Sequence, residues 1–79
     1  MKVYVYSIYD KVAGVYSMPI CQHNDNSARR YFQSVANSSR EVAATDCQLY
    51  KVGEYDTESG IFAGLITPEF ICNGEVIEK

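Results

Sequence analysis

Two dense β-type runs at the head of the chain restrict what it can fold into. Val3, Tyr4, Val5, Tyr6, Ile8 and Tyr9 form the first, and a second begins at Val15-Tyr16. β-branched and aromatic residues at this density favour strands. Between the runs lies Asp10-Lys11-Val12-Ala13-Gly14, with a turn-former at each end. Two such runs joined by a short Gly-containing segment predict a hairpin. Gly14 supplies the positive-φ residue that this connection needs.

The 79 residues have room for one domain, and a chain this short is marginal alone. A hydrophobic content of 47% places it among globular domains rather than disordered ones. Seven Tyr and no Trp are less usual. Tyr has an apolar body and a polar tip and suits half-wet surfaces, so a small Tyr-rich chain with an open sheet is expected to be a homodimer. The formal net charge of −3 argues against coating nucleic acid by bulk charge and makes anionic membranes poor partners. Met1-Lys2 runs straight into strand pattern, so no signal peptide is expected, and no apolar run approaches a membrane span. Cys21, Cys47 and Cys72 are odd in number and widely spaced, which fits reduced thiols better than a disulfide scaffold.

Along the chain, Val3, Val5, Ser7 and Tyr9 share one face of the first strand, and Tyr4, Tyr6 and Ile8 share the other. One face should meet a helix; the other needs a second cover. Pro19 weakens the returning strand or sits at an edge. Asn26 or Ser27 is a good N-cap for a helix from about Ser27 to about Ala36. Ala28, Phe32 and Val35 form its inner face, with Tyr31 and Ala36 flanking, and Arg29, Arg30 and Gln33 fall outside. Residues 38–46 read mostly as loop, with a helical turn an option at Glu41 to Ala44. Cys47 to Asp56 is the third strand, with Gly53 a candidate bulge. Asp56-Thr57-Glu58-Ser59-Gly60 is a turn, and Ile61 to Ile66 the fourth strand, broken by Pro68. Asn73-Gly74 between apolar residues predicts a small tail hairpin or an edge strand. The order β-β-α-β-β plus a β tail predicts an α+β fold: an antiparallel sheet of four to five strands with one helix on one face.

Chemical sites are sparse. Cys21-x-His23 with Cys47 and Cys72 matches a zinc ligand count but lacks the close Cys pairs that nucleate such sites. His23 is the only His; its nearness to Asp25 is what any short polar loop produces. Glu54 and Asp56 read as solvated residues leading into a turn. No phosphate-cradling glycine loop is present. No metal, cofactor or enzymatic activity is expected.

Single-stranded nucleic acid binding needs aromatic platforms for bases and cations for the backbone. Tyr4, Tyr6 and Tyr16 can share an open sheet face if the helix covers the other. Lys2, Lys11 and Lys51 could rim it, and Arg29 and Arg30 offer a second cationic spot. The competing reading buries the same Tyr at a protein interface.

The ordered spacing of several residues resembles the small nonstructural protein of gokushoviruses, microviruses with single-stranded DNA genomes. The matching residues are Val5-Tyr6-Ser7, Tyr9-Asp10, Ala13-Gly14-Val15-Tyr16 and Pro19; then Asn24, Ala28, Arg30 and Phe32; then Asp46, Leu49-Tyr50, Val52-Gly53, Tyr55-Asp56 and Ser59-Gly60. The resemblance spans residues 1 to about 61, and no single motif in it is diagnostic. It implies a non-capsid protein made in the cytoplasm of an infected bacterium, of a kind often labelled nonstructural or DNA-binding. By genome position such proteins look similar to the microvirus protein that helps switch replication from duplex copies toward single-stranded genomes for packaging. Arg30 matches the pattern and becomes the first phosphate-contact candidate.

The expectation is therefore an accessory protein of single-stranded DNA replication or packaging. Tyr4, Tyr6 and Tyr16 would stack on bases, and Lys2, Lys11, Arg29, Arg30 and Lys51 would meet phosphates. The alternative is a protein-interaction module, self-associating or docking onto viral or host replication proteins.

Overall fold

The computed structural model describes residues 1–38 and 43–76. In chain order these form β1 (Lys2–Asp10), β2 (Val15–Tyr16), β3 (Ile20–Gln22), α1 (Asp25–Ser38), a 3-10 turn (Ala44–Asp46), β4 (Cys47–Asp56) and β5 (Phe62–Asn73). The fold is α+β, with one helix and a five-stranded antiparallel sheet. The sheet runs β2-β1-β4-β5, and β3 pairs with the same edge of β1 as β2. Pro19 explains that divided edge: it cannot donate to a ladder, so the returning chain pairs on either side of it. No helix among the described residues is long and apolar enough to cross a membrane.

The two hairpin turns share one construction. Asp10 Oδ1 accepts from the Val12 and Ala13 amides at 2.9 and 3.1 Å, and Gly14 closes the turn at φ 72°. Asp56 Oδ1 accepts from the Glu58 amide at 2.9 Å, and Gly60 closes its turn at φ 74°. Each pairs an Asx turn with a glycine in the left-handed region, where a Cβ would be strained.

The helix begins earlier than its apolar pattern predicts. Asn24 is the N-cap: its Oδ1 accepts from the Ser27 amide at 2.8 Å, and its carbonyl takes the first helical bond from Ala28. The buried stripe is Ala28, Phe32 and Ala36; Val35 and Tyr31 are largely exposed. An i, i+4, i+8 stripe thus replaces the expected i, i+4, i+7 one. Three small or flat positions let the helix lie close on Tyr6, Leu49 and Cys47. Tyr6, Phe32 and Leu49 are the largest fully buried side chains.

A bulge in β4 sets which residues share a side. Val5 pairs with Gly53 but Tyr6 with Lys51, leaving Val52 as the extra residue, one position before the expected Gly53. The shift reverses the alternation. Cys47, Leu49 and Lys51 join Glu54 and Asp56 on the helix side. Tyr50 falls on the same side as Gly53 and Tyr55.

Of the C-terminal expectations the edge strand holds, since Phe70-Ile71-Cys72 lies in β5 at the sheet edge, while the break at Pro68 and the tail hairpin need correction. β5 passes through Pro68, with residues 65–68 bulging opposite Val52, and resumes pairing from Glu69 to Asn73. No hairpin follows Asn73 among the described residues; residues 77–79 lie outside them, as do residues 39–42. Gly74 serves close packing instead. Its amide donates to the Cys47 carbonyl at 2.9 Å, and a Cβ there would run into the Ala44 carbonyl. The segment is tied to α1: Gln33 Nε2 donates to the Asn73 carbonyl at 3.0 Å, and the Glu75 amide donates to Gln33 Oε1 at 2.9 Å. Asn37 Nδ2 donates to the Glu75 carbonyl at 2.8 Å.

Candidate functional site

The sheet has two unlike sides. Register places Lys2, Tyr4, Tyr6, Ile8 and Asp10 of β1 on the helix side, opposite Asp56, Glu54, Lys51, Leu49 and Cys47 of β4. The other side carries Val3, Val5, Ser7 and Tyr9, with Tyr16 of β2, Tyr50 and Tyr55 of β4, and Phe62 and Phe70 of β5. All Asp, Glu and Lys at paired positions of β1, β4 and β5 therefore stand on the helix side. The helix covers the apolar centre of that side, Tyr6, Leu49 and Cys47, while Lys2 on the same side stays exposed.

On the uncovered side, four rings cross the sheet from edge to edge. Tyr9 and Tyr16 lie 4.7 Å apart between centroids, Tyr16 and Tyr50 5.6 Å, and Tyr50 and Phe70 5.7 Å. The last two contacts are near-perpendicular, the edge-to-face arrangement that ring quadrupoles favour. Tyr16 and Phe70 are about half exposed, while Val3, Val5 and Ser7, further along β1 on the same side, are buried. Phe62 extends the apolar surface along β5, and Leu65 and Ile66 are exposed in the bulge that follows, Ile66 fully.

The three tyrosines expected on one open face do not share one. Tyr6 is fully buried beneath the helix, so its ring is closed to a base. Tyr4 is half-buried on the same side, and only Tyr16 stands on the open side. The cations are separated from the rings as well. Lys2 is exposed and pairs with Glu54 at 3.6 Å on the helix side. Lys51, far from rimming an open face, is mostly buried between Asp25 at 3.1 Å and Glu69 at 3.9 Å, with its ammonium 4.4 Å from the Tyr4 ring centroid. Arg29 donates to Asn26 Oδ1 at 3.0 Å on the helix, and Arg30 is exposed beside it. Lys11 is exposed in the β1–β2 turn. The sequence pattern does not single out Tyr9, Tyr50 and Phe70, although strand alternation puts Tyr9 on its correct face. Which face the helix would cover was not legible.

Lys51 belongs to a polar cluster at the helix start. The Tyr6 hydroxyl donates to Asp25 Oδ1 at 2.6 Å, the atom that also meets Lys51. Burial, and then the adjacent carboxylate, push the Tyr6 phenol well above its ordinary value. The Tyr6 bond and Lys51 hold Asp25 below its ordinary value. Every member is partnered, which makes this a structural clasp. Burial raises the thiols of Cys47 and Cys72, so neither resembles an activated nucleophile. Cys21 is exposed on the open side and Cys47 buried on the other. Among the described residues, no three His, Cys, Asp or Glu come together as a metal-holding group.

The family model described as Phage ORF5 protein matches residues 3–77. No curated protein and no solved structure matches.

Proposed function

This chain belongs to the Phage ORF5 protein family, and from that premise we propose that it is a non-capsid accessory protein of single-stranded DNA replication or packaging, acting as a docking module. It works in the host cytoplasm, without chemistry of its own, and its phage is of the gokushovirus type that the sequence resembles. The uncharged aromatic side of the sheet is the working surface. The observation that carries this reading is that, among the described residues, no Lys or Arg stands at a paired strand position on the side crossed by Tyr16, Tyr9, Tyr50 and Phe70. A strand of phosphates needs cations beside its stacking platform; a protein surface needs rings and few charges.

Complementation tests it. A phage lacking the gene would be supplied with wild-type protein, Tyr50→Lys or Arg30→Glu, and its single-stranded progeny DNA measured. The reading expects Tyr50→Lys to fail and Arg30→Glu to succeed. The reverse result would overturn it and move the function to the helix surface.

Direct contact with single-stranded DNA is a second reading, favoured by the four rings themselves, each with a π-face to offer a base. Lys11 in the turn between Tyr9 and Tyr16 would be its phosphate contact. Fluorescence anisotropy of a labelled single-stranded oligonucleotide at low and high salt, with a duplex control, decides it. Salt-sensitive binding that Tyr16→Ala weakens would establish this reading, and no binding at low salt would remove it.

A further inference from the structure

We infer that the uncharged aromatic side of the sheet is covered by the same side of a second copy of this chain, in a two-fold homodimer. This rests on the reading of that side as a docking surface and names its occupant. Charge selects the occupant. A chain of net charge −3 repels its own copies, yet the sheet's acidic residues, Asp10, Glu54, Asp56 and Glu69, all stand on the helix side. Two copies meeting open side to open side bring no like charges into opposition. Among the described residues, no carboxylate, Lys or Arg stands at a paired position of that side to meet a basic partner or a phosphate backbone. A two-fold interface joins one patch to itself, and an uncharged patch of rings is complementary to its own copy.

Size points the same way. Among the described residues nine apolar ones are buried, whereas Tyr16, Phe62 and Phe70 remain exposed on the open side. Domains this small commonly need a disulfide, a metal or an oligomer to supplement the core. The three cysteines here are free, and the described residues hold no metal cluster. The two longer dimensions of the molecule, 40 and 27 Å, leave room for the roughly 800 Å² that each partner gives to a standard interface.

Sedimentation equilibrium over a wide concentration range tests the inference. Wild-type protein is expected at twice 8.9 kDa. Phe70→Lys and Tyr16→Lys are each expected to weaken the dimer by about tenfold or more, as the loss of a central aromatic anchor does. Arg30→Glu, on the helix exterior, should leave the mass unchanged. Both aromatic positions are half exposed, so the variants should fold; circular dichroism checks this, and either variant can stand for the other. A monomeric wild type would overturn the inference, as would a dimer that neither variant weakens. Complementation separates the two claims. If wild type is monomeric while Phe70→Lys still fails to complement, the second copy is removed and the docking reading stands. If Phe70→Lys breaks a wild-type dimer and still complements fully, the dimer stands and the docking reading falls.

Discussion

The Tyr6 hydroxyl and the Asp25 carboxylate, nineteen residues apart, are joined by a 2.6 Å hydrogen bond that fastens the middle of β1 to the first turn of the helix. Asp25 also favours the positive end of the helix dipole. Removing the hydroxyl leaves Asp25 with Lys51 at 3.1 Å and the more distant charge of Arg29. Tyr6→Phe is expected to cost about 1.5–3 kcal/mol, the range for a hydrogen bond to a charged group. Urea unfolding of the two proteins under one condition measures it.

Acid should weaken this clasp. The folded state holds Asp25 below its ordinary 3.8, first through Tyr6 and then through Lys51. The unfolded chain therefore takes up the proton first as pH falls, and the stabilisation is full above pH 3.8 and declines below it. Asp56, lowered mainly by the Glu58 amide, acts in the same direction. The stability difference between wild type and Asp25→Asn should stay level at neutral pH and narrow below pH 3.8. A difference that widened in acid would mean that the carboxylate is not what the clasp uses.

Opposite behaviour is expected at two adjacent helix positions. Ala36 is buried against the sheet and Val35 is 37% exposed. Ala36→Leu should cost about 1–3 kcal/mol through overpacking, whereas Val35→Ala should cost under about 1 kcal/mol, as most surface changes do. Thermal unfolding of the two variants tests which stripe faces the core.

Gly74 is expected to tolerate no side chain. A Cβ would run into the Ala44 carbonyl, and moving away would lengthen the bond to Cys47 and loosen the Gln33 contacts. Gly74→Ala should cost about 1–3 kcal/mol and speed amide exchange at Glu75. Unchanged exchange there would show that the segment is not held through Gly74.

Much of the fold was legible because local rules govern it. Both Asp-to-Gly turns, the helix, the break at Pro19 and the third strand over Cys47 to Asp56 follow from residue type and spacing. The candidate site was less legible. Strand alternation separated Tyr9 from Tyr4 and Tyr6, but it does not say which set the helix will cover. Asn73-Gly74 carries a strong turn signal, yet its glycine answers to the crowding of Ala44 and Cys47 from thirty residues upstream.

By itself, the sequence determined the elements, their order and the α+β class, since turn chemistry and periodicity act over a few residues. Only the tertiary structure decided the sides. The bulge at Val52 reverses the alternation of β4, taking Lys51 beneath the helix to Asp25 and leaving Tyr50 with Tyr9, Tyr16 and Phe70. A one-residue shift moves every later side chain to the other face, and it depends on how three strands pair, which no stretch of sequence records alone.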